Sequence, residues 1–84
     1  MTDDRYEKYT GQILVTLNVM LAKRNVKSKD LAAYVGITEA NISQLKSGKV
    51  KGIRFETLAR ICEFLECKPG DILDFEYKPE TDQA

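Results

Sequence analysis

The sequence predicts a small all-α domain, and three observations carry the prediction. Apolar residues recur at helical spacing in three separate runs between residues 28 and 65. Capping residues and glycines punctuate those runs where helices start and stop. Strand signals are confined to two brief stretches near the ends, residues 13–17 and 75–77, so any sheet is minor.

Taken in order, residues 1–11 are polar, end at Gly11 and read as a tail. Residues 13–17, Ile-Leu-Val-Thr-Leu, read either as a short strand or as the first turns of a helix, because Leu14, Leu17 and Leu21 also fit the helical period. The preferred reading is a strand followed by a helix that starts near Asn18 and runs to Arg24. Ser28 is placed to cap the next helix, whose apolar positions are Leu31, Ala32 and Val35, and Gly36 closes it by tolerating left-handed backbone. Thr38 caps a following helix, with Glu39 in its positive first turn, Ile42 and Leu45 on its inner face, and Ser47-Gly48 as its stop. A basic loop, 49–54, leads into a third run in which Phe55, Leu58, Ile61, Cys62 and Leu65 share one face. Residues 68–73 read as a single helical turn with an early proline. Phe75 and Tyr77 alternate with polar residues as a brief strand, and 79–84 form a polar tail.

Composition narrows the function. The chain has 84 residues, enough for one domain. With 31% charged and 43% hydrophobic residues, it is neither disordered nor unusually apolar. It has no histidine, which removes the usual base of serine and cysteine hydrolases and all His-ligated metal sites. Cys62 and Cys67 are too few for a disulfide scaffold and wrongly spaced for zinc, and read as reduced, half-buried thiols. The apolar run 13–22 is too short to span a bilayer and lacks a basic leader, so a cytoplasmic location is expected. No cofactor, no metal and no small-molecule substrate are indicated. Gly48-Lys49-Val50-Lys51-Gly52 lacks phosphate-loop spacing, and Asp71, Asp74 and Glu76 read as a solvated acidic face. An enzyme is not expected.

Two short helices joined by Gly36-Ile37-Thr38 make a helix-turn-helix unit. Ala32 suits the crossing point of the two helices, and Ile37, Ile42 and Leu45 seal the underside. The second helix of such a unit turns its outer face to the major groove of DNA. Here that face is Glu39, Ala40, Asn41, Ser43 and Gln44. Asn and Gln can bond adenine bidentately, and Ala can touch a thymine methyl.

The stretch 28–48, with Leu31-Ala32, Val35-Gly36-Ile37-Thr38, Ile42-Ser43 and Gly48, resembles the lambda-repressor/Cro-like helix-turn-helix regulators. Further matches at 51–55, Thr57-Leu58 and 67–73 resemble a short single-domain subfamily, so that the likeness covers about residues 13–77. The resemblance implies a five-helix lambda-repressor-like DNA-binding domain over 12–78, some members adding short terminal strands. It implies a regulator, expected to be a repressor, that reads double-stranded DNA with residues 39–46 as a homodimer on a pseudo-palindromic operator. By position, Ser28 and Lys29 would touch phosphate, Thr38 would start the recognition helix, and Glu39, Ala40, Asn41, Ser43 and Gln44 would face bases or nearby backbone. Lys46, Lys49, Lys51 and Arg54 would clamp the sugar-phosphate backbone.

The sequence departs from the family's pattern at three positions. Lys46 replaces a frequent glutamate that pairs with an arginine in the first helix, which leaves Lys46 free for phosphate. The family's cap usually falls at the position of Lys27, so Ser28 either caps a shortened helix or contacts phosphate. Glu39 stands where glutamine is frequent; it can accept from cytosine N4, and its service to the helix dipole is the favoured role. Tyr34, Phe64, Phe75 and Tyr77 fall outside the core stripes and are candidates for a dimer surface. A protein-binding module of antitoxin or antagonist type is the alternative reading, suggested by the acidic C-terminal third.

Charge sorts along the chain in the same sense. Residues 12–54 hold eight basic and two acidic groups, a net of +6, whereas 55–84 hold three basic and eight acidic, a net of −5. The formal total of zero hides a polarised molecule whose basic part can steer toward a polyanion.

Overall fold

A computed structural model describes residues 9–79. Its order is β1 (Tyr9–Val15), α1 (Leu17–Arg24), α2 (Ser28–Val35), α3 (Glu39–Lys46), α4 (Phe55–Leu65), a 3-10 turn (Pro69–Asp71) and β2 (Leu73–Pro79). Among the described residues there are thus four α-helices rather than five. The fifth expected helix is the 3-10 turn, because the segment holds only three residues between the extended Lys68 and the strand. The remainder of both predicted tails lies outside the described residues, but Tyr9, Thr10 and Gly11 belong to β1.

Strands β1 and β2 pair antiparallel in a two-stranded ribbon, with Val15 opposite Leu73, Ile13 opposite Phe75 and Gly11 opposite Tyr77. The alternation of the pleat puts those six residues on one face. The preferred strand reading of 13–17 therefore holds, although the strand starts earlier and ends at Val15. Gly11 leaves room for an aromatic ring: a Cβ there would lie 2.4 Å from Cζ of Phe75. Gln12 Nε2 donates to Glu76 Oε1 at 2.9 Å on the opposite, wet face.

Thr16 joins ribbon to helices. Its amide donates to the Ile72 carbonyl at 2.8 Å and its hydroxyl to the Asp71 carbonyl at 3.1 Å. From there α1 begins at Leu17, one residue before the expected Asn18, since Thr16 takes the cap position. Asn25 ends α1 in left-handed conformation at φ 56°. Arg24 then reaches across to the end of α4, donating to the carbonyls of Leu65 at 2.8 Å and Glu66 at 3.0 Å. A cation on the last carbonyls of a helix satisfies orphan acceptors and complements the dipole. Arg24→Ala is accordingly expected to cost about 1–2 kcal/mol, read as a lower urea midpoint at unchanged slope.

Helix α2 packs on both α3 and α4, and α1 packs on the same two. The core they enclose comprises Leu17, Met20, Leu21, Leu31, Ala32, Ile42, Leu45, Leu58, Ile61, Leu65 and Ile72. Val15 and Leu73 pack against it from the base of the ribbon. Phe55 departs from the expected stripe and is 85% exposed. Being the first residue of α4, it has no preceding turn to lie against, and Leu58, Ile61 and Leu65 complete the buried face without it. Tyr34 is exposed and Phe64 half-buried. They stack on each other with ring centroids 4.7 Å apart. The Tyr34 phenol is held above its usual pKa range, first by its hydrogen bond to Glu63.

Candidate nucleic-acid interface

The helix-turn-helix starts from local backbone chemistry. Gly36 adopts φ 89°, where a side chain is strained, and its amide and that of Ile37 both return to the Ala32 carbonyl, at 2.8 and 3.1 Å. Thr38 is extended and its hydroxyl accepts from the Asn41 amide at 3.1 Å, so the predicted cap of α3 is present. Thr38 is thereby committed to starting the helix. At the other end the Ser47 hydroxyl and the Lys49 amide both donate to the Gln44 carbonyl, at 2.8 and 3.1 Å, and Gly48 turns the chain at φ 75°.

Along α3, Ile42 and Leu45 are buried, whereas Glu39, Ala40, Asn41, Ser43 and Gln44 are exposed. The five side chains expected on the outer face lie there together. A groove runs beside them, between α3, the following loop and the start of α4; Asn41, Gln44, Val50, Gly52, Arg54 and Thr57 are among the residues that line it. Two carboxamides and one guanidinium therefore share one concave surface. Lys49 and Lys51 are exposed on the loop beside it, Lys29 is exposed in the first turn of α2, and Glu39 occupies the first turn of α3.

Two expectations at the edge of this surface change. Lys27, in extended conformation, caps α2, and Ser28 is the first helical residue, which removes the capping alternative for Ser28. The Ser28 hydroxyl instead accepts from Lys46 Nζ at 3.1 Å. Lys46 is thus not the free cation expected from the loss of the family's glutamate. It is half-buried and spends one of its three donors tying the end of α3 to the start of α2. The ammonium and the hydroxyl meet at the N-terminal end of a helix, where amide dipoles favour an anion.

Sequence reasoning missed Phe55 and Thr57 as neighbours of this surface. Thr57 lines the groove, and Phe55 stands exposed directly after Arg54. The available signal was position: a helix that starts immediately after a basic loop presents its first turn on the side of that loop.

The acidic residues 71–76 have local duties. Asp71 Oδ2 accepts from the Lys68 amide at 2.8 Å, Asp74 Oδ1 from the Phe75 amide at 2.8 Å, and Glu76 from Gln12. Among the described residues no group of three or more His, Cys, Asp or Glu side chains could hold a metal ion. No described helix is long and apolar enough to cross a membrane.

Comparison with known proteins agrees with this geometry. Residues 16–78 match the Cro/C1-type HTH DNA-binding domain family. The chain is 51% identical over 69 residues to the uncharacterized HTH-type transcriptional regulator YozG of Bacillus subtilis (strain 168), which covers 82% of each chain. Among solved structures, it resembles a protein from Bacteroides fragilis assigned as DNA-binding, at TM-score 0.68 and 25% identity, covering 75% of this chain and 100% of that one. It also resembles the transcriptional regulator VanUg, at TM-score 0.62 and 27% identity over 95% of this chain and 100% of the other. That family is one of DNA-binding regulators rather than enzymes. With most of its length inside the matched region, the chain belongs to the Cro/C1-type helix-turn-helix DNA-binding proteins.

Proposed function

We propose that this regulator is a cytoplasmic repressor that occupies a pseudo-palindromic operator as a homodimer, each α3 entering one major groove. The observation that carries the reading is the shared placement of Asn41, Gln44 and Arg54 along one groove beside the exposed face of α3. In this assignment Asn41 and Gln44 read base edges, with Ala40, Ser43 and Glu39 beside them. Ser28 and Lys46 take one phosphate jointly, Lys29 another, and Lys49, Lys51 and Arg54 hold the backbone on the far side of the groove. Phe55 lies against deoxyribose next to Arg54.

The dimer is assigned to the apolar face of the ribbon, packed against the same face of a second copy. Ile13 and Phe75 are 62% and 54% exposed there, beside exposed Tyr77, and the face is continuous with the core through Val15 and Leu73. A two-fold contact needs one self-complementary patch, and this stripe supplies an apolar one opposite a polar face. Ile13→Lys is expected to shift the protein from dimer to monomer in sedimentation while leaving its helical content intact. A dimer undisturbed by that change would move the interface elsewhere.

Selection from random oligonucleotides tests the whole reading. An inverted repeat with half-sites about 34 Å apart is expected. Log affinity should fall steeply with log salt, because bound phosphates release counterions. Lys49→Ala is expected to weaken all sequences alike and to reduce the salt slope by about one. No enriched sequence at low salt, together with capture of a stoichiometric protein partner, would replace this reading by that of a protein-binding module.

A further inference from the structure

The end of α4 carries a pair of cysteines that DNA recognition does not use. Glu66 follows α4 in left-handed conformation at φ 52°, and this reversal returns the Cys67 amide to the Cys62 carbonyl at 3.0 Å. Standard bond lengths and angles then hold the two Cα atoms within about 7 Å of each other. Disulfides bridge Cα atoms at about 4.4–6.8 Å, so the backbone already lies at the required reach. The Cys67 thiol is close enough to perturb the Cys62 thiol electrostatically. Both are free and half-buried, and both line one surface cavity with Ala59, Lys68 and the carboxylates Glu63, Glu66 and Asp71. They are therefore close to each other and open to a small reagent from the same side.

We propose that Cys62 and Cys67 form a dithiol site that reacts with hydroperoxides and closes to an intramolecular disulfide across the end of α4. The attacking sulfur is assigned to Cys67. Burial, then Cys67 and Asp71, raise the Cys62 thiol above its ordinary pKa. The Cys67 thiolate displaces one peroxide oxygen: an S–O bond forms, the O–O bond breaks, and the departing alkoxide or hydroxide takes up a proton. The Cys62 sulfur then attacks the resulting sulfenic acid. An S–S bond forms, the S–O bond breaks, and the Cys62 proton leaves with the hydroxide as water. In total two thiols and one hydroperoxide yield a disulfide, an alcohol (or water) and one water, with two electrons passing from sulfur to peroxide oxygen.

The location gives the bond a structural effect. Arg24 holds the same reversal non-covalently through the Leu65 and Glu66 carbonyls, and Lys68 and Asp71 begin the turn into the ribbon immediately afterwards. A disulfide here fixes the joint between the helical body and β2.

The test uses the full chain treated with hydrogen peroxide at low excess and analysed by mass spectrometry and thiol alkylation. The expected product is a monomeric polypeptide lighter by about 2 Da that loses both alkylatable thiols together and regains them with a dithiol reductant. Cys62→Ser should leave a Cys67 that a sulfenic-acid trap labels readily, and Cys67→Ser a Cys62 that is labelled several-fold more slowly. Intermolecular cross-linking, over-oxidation of one cysteine with the other intact, or two thiols that remain alkylatable would each overturn the site. Equal labelling of the two variants would overturn the assigned order of attack. None of these readouts depends on DNA binding.

Discussion

Gln44→Ala is expected to lower operator affinity by about 1–3 kcal/mol, five- to 150-fold, and to relax preference at a single base position. The side chain is exposed on α3 and lines the groove, so its removal leaves the packing of Ile42 and Leu45 untouched. Its backbone carbonyl still receives Ser47 and Lys49, which keeps the turn at Gly48 in place. Asn41→Ala should act similarly at a neighbouring position, because its amide, not its side chain, serves the Thr38 cap. Selection experiments with each variant distinguish base reading from general weakening. Loss shared equally by all sequences would make these two residues backbone contacts instead.

Ala32→Leu is expected to destabilise the fold by about 1–3 kcal/mol, and by more if α2 and α3 are forced apart. Ala32 is 3% exposed within the core, and its carbonyl accepts both amides of the turn at Gly36 and Ile37. Three extra heavy atoms at that point push against the helices that the turn holds together. The neighbouring Ala33 is exposed, so Ala33→Leu serves as a control of matched composition, expected within about 0.5 kcal/mol of the parent. A denaturant titration of both variants decides. Equal midpoints would mean that the crossing is looser than the burial of Ala32 indicates.

Much of the architecture was legible in the sequence because single residues announced it. Thr38 caps α3 with the bond its position called for, and Gly36 turns where left-handed backbone was needed. The alternation at Phe75 and Tyr77 identified β2, but nothing local announced that β1 reaches back to Tyr9. Its extension depends on pairing with residues more than sixty positions away. Phe55 was misplaced because helical spacing counts a residue as facing inward even at the first position, where no earlier turn exists to cover. Tyr34 and Phe64 read as surplus surface aromatics because sequence spacing does not show that α2 and α4 bring the rings together. At the candidate interface, the outer face of α3 followed directly from the apolar positions Ile42 and Leu45. The Ser28–Lys46 contact did not, since it joins two helices through side chains eighteen positions apart.

The ribbon also dictates an order of events during folding. Its strands are separated by all four helices, so its pairing cannot begin until the helical body has brought Val15 and Leu73 together. From that pair the ladder closes outward, one residue pair after another, toward Tyr9 and Pro79. Closing so long a loop early would be entropically costly, whereas closing it after the helices dock costs little more. A chain emerging from the ribosome therefore presents β1 without its partner strand until residue 79 has been synthesised. A chain cut short before β2 therefore keeps the segment that forms α3 but cannot form the ribbon.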